Sequence, residues 1–207
     1  MYIRTRDGFG QGQAIWSTLQ TFIRPTARPT PIGYLGNFNE HMGQAKSEPC
    51  KQTWAVWGFK PSSAELLDLQ KNQIKVIAKR IVRSLERDIK GKGDVGVHLR
   101  LLFEGHVDEK TDRAPYQAPA GGLLSGNLDE DRARLVSWEL QGQIKEEQGK
   151  SRATWFHPIY ITPTYSGAGS TRPFDSDSKK NRRVVVCVRW KIVHKAEVLK
   201  RAMEESG

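Results

Sequence analysis

The chain has 207 residues, a formal net charge of +10, a pI near 9.7 and a mean hydropathy of −0.60, with 37% hydrophobic residues. That length allows one good-sized domain with extensions, and the apolar fraction is enough for a core. No run approaches the eighteen or so apolar residues of a spanning helix. The basic balance favours an anionic partner without choosing among nucleic acid, an anionic membrane face, wall polymer and an acidic protein surface.

Residues 1–52 read as an arm. The opening stretch has two early arginines, Arg4 and Arg6, but no continuous apolar segment and no small-residue cleavage site, so no secretory signal is expected. Arg24 to Asn39 holds Pro25, Pro29 and Pro31 with Gly33 and Gly36 and has no helical or strand period, which suits an extended linker. Its neighbourhood carries Trp16, Phe22, Tyr34 and Phe38, more aromatics than a disordered tail usually has, which favours docking on the domain or on a partner.

From Thr53 the periodicities sharpen. TWAVWGF suits a strand with Trp54, Val56 and Gly58 on one face and Ala55, Trp57 and Phe59 on the other. Lys60-Pro61-Ser62-Ser63 then turns the chain, with Ser62 or Ser63 as the helix cap. The spacing of Ile74, Ile77, Ala78, Ile81, Leu85 and Ile89 predicts an amphipathic helix over Ala64 to Lys90, stopped by Gly91 and Gly93. Val95, Val97, Leu99, Leu101 and Phe103 alternate as in a half-buried strand. Arg132, Val136, Leu140 and Ile144, at steps of four, place a second helix from Leu128 into the 140s. Trp155 to Thr162 reads as a third strand. Val184, Val186, Val188, Trp190 and Ile192 share one face of a last strand, and a short helix from Ala196 to Glu205 closes the chain. The alternation predicts an α+β fold, helices packed on one face of a mixed sheet. Its expected division is an arm (1–52), a domain (53–194) and a helical tail (195–207). Cys50 and Cys187 are the only cysteines, and one bridge or two free thiols are both compatible with the sequence.

Four segments carry a resemblance, in order. They are Gly58-Phe59 with Ser63-Ala64-Glu65-Leu66; Glu104-Gly105-His106-Val107-Asp108; Leu128-Asp129-Glu130-Asp131-Arg132-Ala133-Arg134-Leu135-Val136 with Leu140; and Gly167-Ala168-Gly169, Pro173 and Asn181-Arg182-Arg183-Val184. Together they resemble the OmpA-like family, the fold shared by the periplasmic domains of OmpA, Pal and MotB. The second is similar to the family's GHTD, the third to its LSxxRAxxVxxxL helix and the fourth to its NRRV lead into the final strand.

The resemblance implies an α/β sandwich that binds the peptide stem of peptidoglycan, with no catalysis and no cofactor. In that family an Asp takes the ammonium of diaminopimelate and an Arg its carboxylate. The matching positions are Asp108 and Arg132, with Val107, Ser125 and Leu128 lining the pocket and Asn181, Arg182 and Arg183 in support. A carboxylate and a planar guanidinium fork are the groups such an amphoteric ligand needs. The chain departs from the family at Val107, Ser125, Asn127 and Asp129. The loop from Glu109 to Leu124 and the stretch Gln141 to Thr154 look enlarged.

The resemblance also implies an envelope location facing the periplasm, whereas the expected lack of a signal suits a particle assembled in the cytoplasm. The rival reading is therefore an OmpA-like scaffold subunit of a larger machine, such as a phage-tail-like or contractile injection particle. The arm and enlarged loops would then be its protein contacts. A working wall site favours the first reading, and a pocket plugged by the chain's own loop favours the second. His98, His106, His157 and His194 are scattered, which argues against a metal site, and no GxSxG elbow, P-loop or GxGxxG fingerprint points to catalysis. The cations Lys71, Lys75, Lys79, Arg80, Arg83, Arg87 and Lys90 on the first helix read as a solvated face, not as a nucleic-acid surface.

Overall fold

The computed structural model describes residues 32–34, 49–116, 118, 124–150, 157–170 and 176–204. In chain order these form β1 (Ile32–Tyr34), β2 (Gln52–Trp57), α1 (Asp68–Ile89), β3 (Val95–Gly105), α2 (Leu128–Lys150), β4 (Ile159–Gly167), α3 (Ser178–Asn181), β5 (Arg183–His194) and α4 (Lys195–Glu204). One five-stranded sheet has the order β1-β2-β5-β3-β4. All its pairs are antiparallel except β3 with β4, which α2 joins as a crossover. The fold is α+β, as the alternation of elements predicts.

The alternating apolar residues do what their period requires. Val97, Leu99, Leu101 and Phe103 of β3 and Val184, Val186 and Val188 of β5 are fully buried on one face of the sheet. They meet Ile74, Ile77, Ala78, Ile81 and Leu85 of α1 and Ala133, Val136, Leu140 and Ile144 of α2. Each buried Ile, Leu or Val is worth about 1.5–3 kcal/mol, so α1 is held by its apolar stripe more than by its ends.

Several local expectations need correction. The first helix starts at Asp68, not at Ala64. Neither Ser62 nor Ser63 caps it; the Gln70 Oε1 accepts from the Leu67 N–H instead. Phe59 packs in the core with Trp54 and Val56, not on the face of Ala55 and Trp57. Gly58 is the cause, since its φ of +83° breaks the strand's alternation and turns the next side chain inward. The third strand, expected over Trp155 to Thr162, runs from Ile159 to Gly167; Trp155 and Phe156 lie outside the described residues. Residues 141–150 continue α2 and are not loop.

The arm contributes Ile32–Tyr34 as an edge strand on β2, although no strand period was legible there. Trp16, Phe22 and Phe38 lie outside the described residues. Cys50 and Cys187 are joined in a disulfide, with their Cα atoms 5.5 Å apart.

The last helix takes the other face of the sheet. Val198 is buried over Gly96, and Arg201 donates to the His98 Nδ1 at 2.8 Å. Burial, then the nearby Arg100 and Arg201 charges, push the His98 pKa down, which suits an imidazole accepting from an arginine. Gly91-Lys92-Gly93-Asp94-Val95-Gly96 has the letters of a GxGxxG fingerprint, but it follows a helix and feeds a strand. That is the reverse of the order nucleotide binding needs.

Candidate ligand site

β3 ends at Gly105, and the chain leaves the sheet through His106, Val107 and Asp108. Beside this end lies the first turn of α2. A side chain at Gly105 would overlap the Asp129 carbonyl, and one at Gly167 would overlap the Asp129 carboxylate. Two glycines at neighbouring strand ends thus let α2 begin directly on the sheet. Asp129, a departure from the family pattern, accepts from the Gly169 N–H at 2.7 Å and ties the helix to the turn after β4.

Arg132, one turn into α2, has no exposed surface. All five of its N–H donors are used. Nε donates to the Ser63 carbonyl (2.9 Å), Nη1 to the His106 carbonyl (3.1 Å) and Nη2 to the Lys60 carbonyl (3.0 Å). The remaining two make a bidentate pair with Asp112, Nη1 to Oδ2 at 2.9 Å and Nη2 to Oδ1 at 3.0 Å. Asp112 also accepts from the backbone N–H of Ser62 (2.6 Å) and of Asp108 (2.8 Å). Burial would raise its pKa, but the hydrogen bonds from Arg132 and Asp108, with the Arg132 charge, outweigh that and hold the carboxyl below its usual range.

Asp108 is neither hydrogen-bonded nor ion-paired to Arg132, whose donors go to Ser63, His106, Lys60 and Asp112. It shapes the turn that delivers Asp112, accepting from the Thr111 N–H (3.0 Å) and Thr111 hydroxyl (2.8 Å). Asn181 donates to its other oxygen at 3.3 Å. Burial raises its pKa, and bonds from Thr111, Asn181 and Ser178 overcome that and lower it, so the group is a carboxylate. Arg182 braces the same turn, donating to the Thr111 hydroxyl (2.5 Å) and to the Phe59 carbonyl (2.7 Å). Arg183 is fully buried beneath and donates to the Asn181 carbonyl.

A cavity of about 250 Å³ opens beside Asp108, lined by Val107, Glu109, Lys110, Ser170, Ser176 and Asn181. Arg132 is not on its wall. Ser125 bonds Asp131 through both its N–H (2.7 Å) and hydroxyl (2.9 Å), and Leu128 opens α2; neither lines the cavity. The structure therefore gathers Val107, Asp108 and Asn181 at the cavity, Arg182 behind it, and Arg132 on a separate, filled seat.

Asp112 is the residue that sequence reasoning passed over. Its signal was the enlarged loop itself: Asp108-x-x-Thr111 has the spacing of a side-chain-capped turn, and the next residue is a carboxylate.

No family model matches the sequence, and no curated protein matches it. Solved structures do. The T6SS cell wall anchor from Pseudomonas aeruginosa is 18% identical, with a TM-score of 0.40, over 86% of this chain and 96% of that one. The periplasmic domain of Helicobacter pylori MotB is 16% identical, with a TM-score of 0.37, over 76% and 83%. The OmpA-like domain of FopA1 from Francisella tularensis is 15% identical, with a TM-score of 0.36, over 69% and 74%.

Proposed function

We propose that this chain binds peptidoglycan without catalysis, and so attaches itself or its assembly to the cell wall. The ligand is a diaminopimelate-containing peptide stem, with Asp108 receiving its ammonium and Arg132 its carboxylate. The observation that supports this most is the seat around Arg132, where three main-chain carbonyls fix the guanidinium so that its two remaining N–H groups grip one planar carboxylate. The Asp108 carboxylate lines the neighbouring cavity, which suits an ammonium. In this reading residues 53–194 form the binding domain, with residues 1–52 and 195–207 as flanking segments for protein contacts. The disulfide suits an oxidising compartment such as the envelope.

A second reading, the scaffold without a ligand, is favoured by one observation: Asp112 now fills the carboxylate seat. Co-sedimentation with purified sacculi separates the two readings. A net charge of +10 attracts any anionic polymer, so the assay is run at about 0.3 M salt, where the Debye length falls below 10 Å and exposed charges are largely screened. Retention of the wild type, lost in Asp108→Ala, is the expected result. Equal, salt-resistant sedimentation of the two proteins would move wall binding away from Asp108, and none by the wild type and by proteins with an emptied seat alike would leave the scaffold.

A further inference from the structure

We infer that Asp112 is a displaceable occupant, and that the wall-bound state is one in which the 109–113 turn has swung out and an external carboxylate has replaced it on Arg132. The inference rests on the reading just proposed. It follows from how the seat and its occupant are built.

The seat belongs to the framework. Its three other partners are main-chain carbonyls of Lys60, Ser63 and His106, from the turn after β2 and the end of β3. None of these carbonyls bonds the turn that carries Asp112; the link between the two turns is the Ser62 N–H on Asp112, a bond that an incoming carboxylate can also accept, so the seat can persist when the turn leaves. The occupant, by contrast, is fastened by polar contacts alone. Within 109–116 the Asp112 carboxylate is the buried group, held on Arg132, while Glu109, Lys110, Arg113, Ala114 and Pro115 are exposed. What holds the turn is Thr111 on Asp108 and Arg182, Asp112 on Arg132 and Ser62, and Tyr116 on Asp131. None of these anchoring contacts is between apolar side chains. An incoming carboxylate would restore the bidentate pair that Asp112 gives up, which makes the exchange nearly balanced in hydrogen bonds.

One guanidinium fork cannot hold both carboxylates. The apparent affinity for ligand is therefore the intrinsic one multiplied by the fraction of molecules with the turn open. The wild type is expected to bind weakly, and proteins with an empty or loosened seat tightly.

The test uses the full chain with Asp112→Ala, purified and kept in acetate. Acetate fits the seat, so the variant's Tm is expected to rise with acetate and saturate, against chloride at equal ionic strength, while the wild type shows no such rise. Its affinity for sacculi is expected to exceed the wild type's by about tenfold or more, corresponding to a turn open no more than about a tenth of the time. Thr111→Val, which keeps the Asp112–Arg132 pair but removes the hydroxyl that binds Asp108 and Arg182, is expected to strengthen wall binding in the same direction. It serves even if Asp112→Ala does not fold. A wild type that binds sacculi as tightly as both variants would overturn the displaceable occupant and leave wall binding intact. An acetate response with no salt-resistant sacculus binding by any of the proteins would do the opposite: the seat would stand and the wall ligand would fall.

Discussion

Arg132→Met is expected to lower the unfolding free energy by about 3–5 kcal/mol, measured by urea denaturation at pH 7. The residue is wholly buried and supplies two hydrogen bonds to Asp112 and three to main-chain carbonyls. Its removal strands a carboxylate with only 2% side-chain exposure, and an uncompensated buried charge costs more than the pair contributes when whole. The double variant Arg132→Met/Asp112→Ala should therefore be less destabilised than Arg132→Met, because no charge is then left alone. A double variant at the sum of the two single losses would mean that the pair is not coupled, contrary to its geometry.

The pair also fixes a pH dependence. The folded-state pKa of Asp112 is depressed, so its contribution is fully present above the ordinary carboxylate value of about 4 and is lost as pH falls through the folded value. Asp108 carries the same sign. Wild-type stability should thus drop on acidification below about pH 4, and the drop should be shallower in the double variant.

Loss of the Cys50–Cys187 bridge is expected to cost about 2–5 kcal/mol, read as the shift in urea midpoint between oxidised and reduced protein. The two cysteines are 137 positions apart, so the bridge closes nearly the whole domain into a loop and restricts the unfolded chain strongly. It also pins the start of β2 to the middle of β5, where Thr53 faces Cys187 in the register. β1 pairs with β2 alone, so the edge strand depends on β2 being held in place. Cys187 has no exposed surface and Cys50 only 7%; reduction in the native state should accordingly be slow, and fast once urea opens the sheet. A midpoint unchanged by reductant would show that the bridge adds nothing to the packing around it.

Most of the fold was legible because two periods carry it. The twofold alternation of β3 and β5 and the three- and four-residue steps of α1 and α2 place the core directly. What was not legible depended on contacts distant in sequence. Ser62 and Ser63 look like helix caps, yet their backbone groups serve Asp112 and Arg132, at separations of 50 and 69 residues. Gly58 reverses the side of Phe59 through a backbone angle that no alternation rule includes. The three residues of β1 are too few to show a period and form only because β2 offers an open edge. At the site, the motif residues Asp108 and Arg132 were visible, but their separation was not. A short carboxylate-bearing turn stands between the roles that the resemblance gives them.

The wall-binding account is tested most directly by titrating a soluble diaminopimelate-containing peptide stem into the protein and following the Arg132 Nε–H resonance by NMR. That proton sits in a buried bond to Ser63 and reports on the seat itself. The account expects the resonance to shift saturably with ligand, and at lower ligand concentration in Thr111→Val. A resonance unmoved while the protein still sediments with sacculi would place wall binding elsewhere on the surface and contradict the assignment of Arg132.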